Sequence, residues 1–136
     1  MRKSITQKHE FGCGVACVAF VVNKSYEEAV EILGRKRAAK KGFYCRDLVK
    51  VLKRFNLNYS FRYLQPRLKQ KIYQDRIIVF IKRSKKYPFG HYLVRYKNLW
   101  MDPWINFSTN KKINEAKSGY CKRLLGRPIY GLFPDS

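Results

Sequence analysis

Four side chains far apart in the sequence have types that chemistry can use: Gln7, Cys13, His91 and Asp102. Cys13 stands between Gly12 and Gly14, directly before a run that is apolar at every position, residues 15–22. A thiolate at the tip of a buried helix is stabilised by the free backbone N–H groups and the dipole there, which suits a cysteine to nucleophilic attack. Gly12 and Gly14 are expected to bind substrate, because without side chains they let a backbone approach the sulfur. Gly12 is also expected to take a backbone conformation that other residues avoid. Gln7, six positions upstream, offers an amide that donates to the oxyanion formed when sulfur adds to a carbonyl, beside the backbone N–H of Cys13.

A nucleophile of this kind needs a base, and the chain has only two histidines. His91 follows Gly90 at the start of a strand pattern, and Lys97-Asn98 is a hairpin turn signal. Residues symmetric about that turn face each other, which puts Asp102 on the return strand one diagonal step from His91. Asp102 would fix the imidazole tautomer and favour the imidazolium. His91 would take the proton of Cys13 and pass it to a leaving amine. Each residue alone has a plainer reading: a structural cysteine, a satisfied histidine, and an aspartate that starts a turn before Pro103. His9 reads as a surface histidine on a loop. The joint pattern is what points to catalysis.

The elements that must position these residues follow in order. The run 15–22 is a buried helix, its small residues Ala16, Cys17 and Ala19 suiting close packing. Ser25 and Glu28 form a capping box for a second helix that ends at Gly34. Residues 35–41 carry five basic side chains and read as an exposed, solvated loop. Residues 44–56 space Leu48, Val51, Leu52 and Phe55 at helical intervals. The period then changes to two at Tyr59, Phe61 and Tyr63, and Pro66 closes that strand. Residues 67–75 are polar and carry no clear pattern. Residues 77–81 form a buried β-branched strand, residues 90–96 and 99–104 a hairpin, and residues 129–133 a candidate last strand. Helices first and antiparallel strands later define an α+β class with no internal repeat.

The length of 136 residues fits a single domain spanning 1–136. Thirty Lys and Arg against nine Asp and Glu give a net charge of +21, so an acidic partner is expected. The four cysteines have spacings unlike a metal site, so no metal or cofactor is assigned, and Cys17 reads as a small buried hydrophobe. Free thiols fit a reducing, cytoplasmic setting. The start, Met1-Arg-Lys before an apolar run, looks like a secretion signal, but polar residues 4–10 interrupt it and the apolar run is too short to span a bilayer. Charge and aromatic content also suit a nucleic-acid-binding module, yet the basic residues are scattered and no such motif is present. Weak non-specific binding at low salt is the expectation.

Taken together, Gln7-x5-Cys13-Gly14-x-Ala16-Cys17, Gly90-His91-Tyr-Leu-Val and Met101-Asp102-Pro103 closely resemble the C39 peptidases, papain-like cysteine proteases that remove double-glycine leaders from bacteriocin and related peptide precursors. The resemblance covers nearly the whole chain. It implies a papain-like fold with N-terminal helices on a C-terminal antiparallel sheet. Cys13 would be the nucleophile, His91 the base, Asp102 the orienting carboxylate and Gln7 the oxyanion donor. It further implies a peptide or protein substrate whose leader is an acidic amphipathic helix, hydrolysed after a small-residue pair through a thioester. Tyr92, Trp100 and Trp104 are the aromatic residues expected to narrow the channel over Cys13. Two features depart from the pattern: Gly12 stands where many members carry an acidic residue, and the connection from His91 to Asp102 is short. With no ABC-transporter domains in the sequence, export would fall to a separate transporter.

Overall fold

The structure is a computed structural model that describes residues 2–135. Met1, which opens the signal-like start, and Ser136, the end of the expected domain, lie outside the described residues. Four helices precede a six-stranded sheet, as the α+β pattern anticipates.

Helix α1 (Cys13–Val22) is buried from Gly14 to Val21 and stops at Asn23, whose left-handed backbone (φ 59°) ends the helical hydrogen bonding. Helix α2 (Tyr26–Leu33) starts with the capping box read from the sequence: Ser25 Oγ accepts from Glu28 N at 3.1 Å, and Glu28 Oε1 accepts from Ser25 N at 3.3 Å.

The expected basic loop is instead a short helix, α3 (Arg35–Lys40). Its one buried residue, Ala38, explains the difference, since the Ala38 carbonyl accepts from Phe11 N at 2.8 Å and ties this turn beneath the segment leading to α1. Arg37, one of its basic residues, bonds Asp47 Oδ2 at 2.7 Å and lies over the Phe43 ring. Asp47 also accepts from Tyr44 N at 2.8 Å, which caps α4 (Cys45–Arg54). Helix α4 then buries Leu48, Val51 and Leu52.

Strands β1 (Tyr59–Tyr63), β2 (Ile78–Ile81), β3 (His91–Tyr96), β4 (Leu99–Asp102), β5 (Gly119–Cys121) and β6 (Pro128–Pro134) form one sheet in the order β1-β6-β2-β3-β4-β5. Every pair is antiparallel. The patternless polar stretch folds as a 3₁₀ helix, Pro66–Tyr73, anchored by buried Ile72. Strand β5 has no counterpart in the sequence reading.

The sheet has two cores. On one face Ile78, Tyr92, Val94, Met101 and Leu132 pack against the helices. On the other, Val79, Ile81, Leu93 and Trp100 pack under Leu64, Ile72 and Tyr87. This alternation along β3 and β4 is the period of a strand with both faces covered. Arg95 is buried on the second face, its guanidinium between the rings of Tyr73 and Trp100.

The β3–β4 hairpin pairs Val94 with Met101, Arg95 with Trp100 and Tyr96 with Leu99, the expected register. Lys97 and Asn98 both take positive φ (45° and 66°), the turn whose twist matches the strands. Gly90 is the other backbone requirement near the site. Its φ is +77°, and a Cβ there would run into the Phe80 ring and lie 2.9 Å from the Ile81 carbonyl oxygen. Gly90→Ala is expected to destabilise the fold by about 1–3 kcal/mol in urea unfolding, from the strained backbone and overpacking together. A change below about 0.5 kcal/mol would mean that this glycine sets nothing.

Candidate active site

Cys13 is the first residue of α1 and is half-buried. No side chain caps this end of the helix and no acidic residue lies in its first turn, so the first-turn N–H groups keep their hydrogen-bonding capacity. His91, the first residue of β3, is buried, and its Nε2 donates to Asp102 Oδ1 at 2.6 Å. The same Oδ1 accepts from the backbone N–H of Trp104 at 2.9 Å, a local turn across Pro103 that holds the carboxylate. With Nε2 bound to Asp102, Nδ1 is the nitrogen left for Cys13, which lines the same cleft and lies near enough to favour the charged ring.

Burial of the imidazole opposes its charged form. The hydrogen bond and charge of Asp102, joined by the same influences from Cys13, outweigh that and push the His91 pKa up to about 10 from its ordinary 6.5. Tyr87 fixes the ring plane, stacking on His91 with centroids 4.7 Å apart and 9° between planes. Phe107 lies against Tyr87 and meets Trp104 edge-on at 4.8 Å. Tyr87 was not read as a site residue; nothing local marks it, because its role is visible only once the loop folds back on β3.

Gln7, Cys13, His91, Tyr92 and Trp104 line one cleft of about 570 Å³, a size that accommodates a peptide segment or small ligand. Its lining includes the aromatic Phe61, Phe80 and Tyr130, and its charged lining is Lys41, Arg46, Arg83 and Glu10.

Several expectations need correction. Gly12 has φ −95°, open to any residue, and is small because a Cβ would collide with the Tyr26 hydroxyl. That hydroxyl bonds His9 Nδ1 at 2.9 Å, so His9 is not a free surface side chain. Gly14 faces the core, where a Cβ would press on Leu48 and Tyr92 at 3.2–3.3 Å; it lets α1 approach α4 and β3. Neither glycine lines the cleft. Trp100 sits on the far face of the sheet, away from the cleft. Tyr92 lines the cleft, but its hydroxyl donates to the Phe43 carbonyl at 2.8 Å, so it builds the wall. Gln7 is beside the site with both amide hydrogens engaged, donating to the His9 and Glu10 carbonyls at 3.0 and 3.2 Å. Two buried polar atoms of the lining have no partner among the described residues, Gln7 Oε1 and Trp104 Nε1. Cys17 is fully buried, and burial raises its thiol pKa, so it stays protonated as the expected hydrophobe.

Helices opposite an antiparallel sheet, with a helix-tip cysteine and a strand-borne histidine on one cleft, are the arrangement of the papain-like cysteine proteases. The family model for the peptidase C39 family matches residues 1–114, and the chain belongs to that family of cysteine proteases. No curated protein matches the chain. Among the described residues, no helix is long and apolar enough to cross a membrane.

The raised His91 pKa has a signed consequence. Its proton is held more tightly folded than unfolded, so this contribution to stability is complete below pH 6.5 and is lost as pH rises through about 10. Asp102→Asn removes the main raising influence. In a His9→Asn background the ring-proton NMR titration of His91 is expected to move to lower pH in Asp102→Asn, and the loss of stability at alkaline pH to shrink with it. An unmoved titration would show that Asp102 does not govern the imidazole.

Proposed function

We propose that the protein hydrolyses a peptide bond after a Gly-Gly type junction of a leader-bearing precursor, with Cys13, His91, Asp102 and Gln7 as its catalytic set. The observation that carries this reading is the meeting of Cys13, at an uncapped helix tip, with an imidazole already bonded to a buried carboxylate on a shared cleft.

In this mechanism His91 Nδ1 already holds the proton of Cys13 at neutral pH, as its raised pKa requires, and the sulfur adds to the substrate carbonyl carbon. The oxyanion is held by the backbone N–H of Cys13 and by Gln7. Collapse of the adduct breaks the C–N bond, and the leaving amine takes the proton from His91. A water deprotonated by His91 then attacks the thioester, releasing the carboxylic acid and the thiol. Asp102 keeps its bond to Nε2 throughout and stabilises the imidazolium. For Gln7 to donate to the oxyanion, one of its bonds to the His9 and Glu10 carbonyls must open when substrate binds. The Trp104 indole N–H, buried and without an acceptor among the described residues, is a further donor in the same cleft.

The charge supports an acidic leader. Lys41, Arg46 and Arg83 line the cleft with one acid, Glu10, and among the described residues none of these three cations is in an ion pair. An acidic helix is drawn to such a surface, which raises its association rate above all.

Precursor peptides with a Gly-Gly junction are expected to yield products cut after the second glycine. Cys13→Ala is expected to give none, and Gln7→Ala to lower kcat about 100-fold. Equal products from wild type and Cys13→Ala, read by mass spectrometry, would remove Cys13 from the mechanism. Raising salt from about 0.05 M to about 0.5 M is expected to lower kcat/KM for acidic leaders and leave neutral ones nearly unchanged. A salt response independent of leader charge would contradict the electrostatic account.

A further inference from the structure

Basic side chains that look scattered along the sequence are gathered by the fold at one end of the sheet. Strand β2 ends there and β6 begins, with Ile81 beside Pro128, and the turns outside them lie together because Lys82 N donates to the Arg127 carbonyl at 2.8 Å. The turn after β2 carries Lys82, Arg83, Lys85 and Lys86, and the turn before β6 carries Lys122, Arg123 and Arg127, all of them exposed. Gly126 seats the second turn on the sheet end, so close to Ile81 that a Cβ would collide with it.

No acid answers these cations. Neither turn contains Asp or Glu, and among the described residues none of the cations belongs to an ion pair. The acids that flank the two turns in the sequence are engaged elsewhere. Asp75 accepts from Lys97 N at the opposite end of β3, Asp135 from Ser60 Oγ past the far end of β6, Glu115 from Lys112 N, and Asp102 holds His91. The helical layer differs, because there Glu27, Glu31 and Asp47 pair with Lys8, Arg35 and Arg37. Within the second turn stands Leu125, 56% exposed, the most exposed large aliphatic side chain among the described residues. Cations attract the phosphates of a nucleic acid or of a membrane alike, but a leucine neither stacks on a base nor bonds a phosphate. It gains free energy where hydrocarbon is within reach.

We propose that this end of the molecule docks on an anionic phospholipid bilayer, with the cations of both turns at the headgroup phosphates and Leu125 entering the acyl boundary. Stable attachment takes two signals, and the turns supply both. Each Lys or Arg near an anionic surface raises the partition coefficient about fivefold, and the leucine adds an apolar contribution that salt does not screen. Docking also orients the protein. Arg83 lines the cleft as well, and the loop that carries it leads to His91 at the start of β3, so the bound molecule holds its cleft beside the lipid surface. The inference stands on charge and exposure, independently of what the cleft cuts.

The test is sedimentation with vesicles of equal parts phosphatidylglycerol and phosphatidylcholine, against vesicles of phosphatidylcholine alone, in about 0.15 M salt. Wild type is expected to sediment with the first and stay in solution with the second; binding to neither would overturn the proposal. Any protein of this net charge is drawn to an anionic surface, so the decisive comparison is between variants that lose the same charge. One combines Lys85→Gln, Lys122→Gln, Arg123→Gln and Arg127→Gln; the other combines Lys24→Gln, Lys36→Gln, Lys50→Gln and Lys53→Gln, exposed residues of the helical half. The first is expected to lower the partition coefficient about 100-fold or more, and the second less than about fivefold. Equal losses would overturn the docking surface. Leu125→Ser keeps the charge and is expected to lower the coefficient about tenfold, whereas an unchanged value would show that nothing enters the lipid and contradict the proposal. All the substituted side chains are exposed, so the variants are expected to fold normally, checked by thermal melts. A single-stranded oligonucleotide at the same salt separates the rival partner. If the first variant loses oligonucleotide binding and keeps vesicle binding, the patch serves nucleic acid and the membrane reading falls.

Discussion

The hydrogen bond from His91 to Asp102 is the interaction to which the rest of the fold is fitted. Asp102 is 2% exposed and His91 5%, and a carboxylate in such a place is tolerable only when it is paired and hydrogen-bonded. Removing Asp102 would leave the buried imidazole without its carboxylate, and removing His91 would leave the carboxylate held by the Trp104 backbone N–H alone. The hairpin turn supplies the register, the Trp104 backbone N–H holds the carboxylate, and the Tyr87 ring holds the imidazole plane. The site is therefore organised by the sheet, with the helical layer contributing the sulfur.

That contribution depends on α1 being buried along nearly its whole length. A helix with no polar face has one way to sit, between α4 and the sheet, and its rotation and depth fix where its first residue emerges. Gly14 matters here, since its missing side chain allows Leu48 and Tyr92 to close on the first turn. Gly12 matters equally, because the Tyr26 hydroxyl, bonded to His9, takes the space its side chain would need. The two glycines beside Cys13 place the sulfur by packing, and the cleft above it is shaped by aromatic side chains from elsewhere.

Features written by local rules were legible in the sequence. The capping box at Ser25 and Glu28, the Lys97-Asn98 turn and the apolar α1 each depend on residues within a few positions, and they formed as read. The proximity of His91 and Asp102 followed from hairpin register alone. Helix α3 was hidden because its basic residues dominate the pattern while one alanine does the packing. Strand β5 is three residues that exist by pairing with β4, so no periodicity could announce them. Tyr87 escaped for the same reason: its role is a contact across the fold. The amide of Gln7 shows the limit from the other side, since a motif names the residue but not the two carbonyls it bonds at rest.

The central claim is that Cys13 and His91 work as one unit at the cleft. The most direct measurement is the rate of iodoacetamide modification at each cysteine, resolved by mass spectrometry, in wild type and in His91→Ala. The account predicts that Cys13 reacts ahead of Cys45 and Cys121 in wild type and slows markedly in His91→Ala, while the other thiols keep their rates. A Cys13 that reacts no faster than they do, or at the same rate in both proteins, would contradict it.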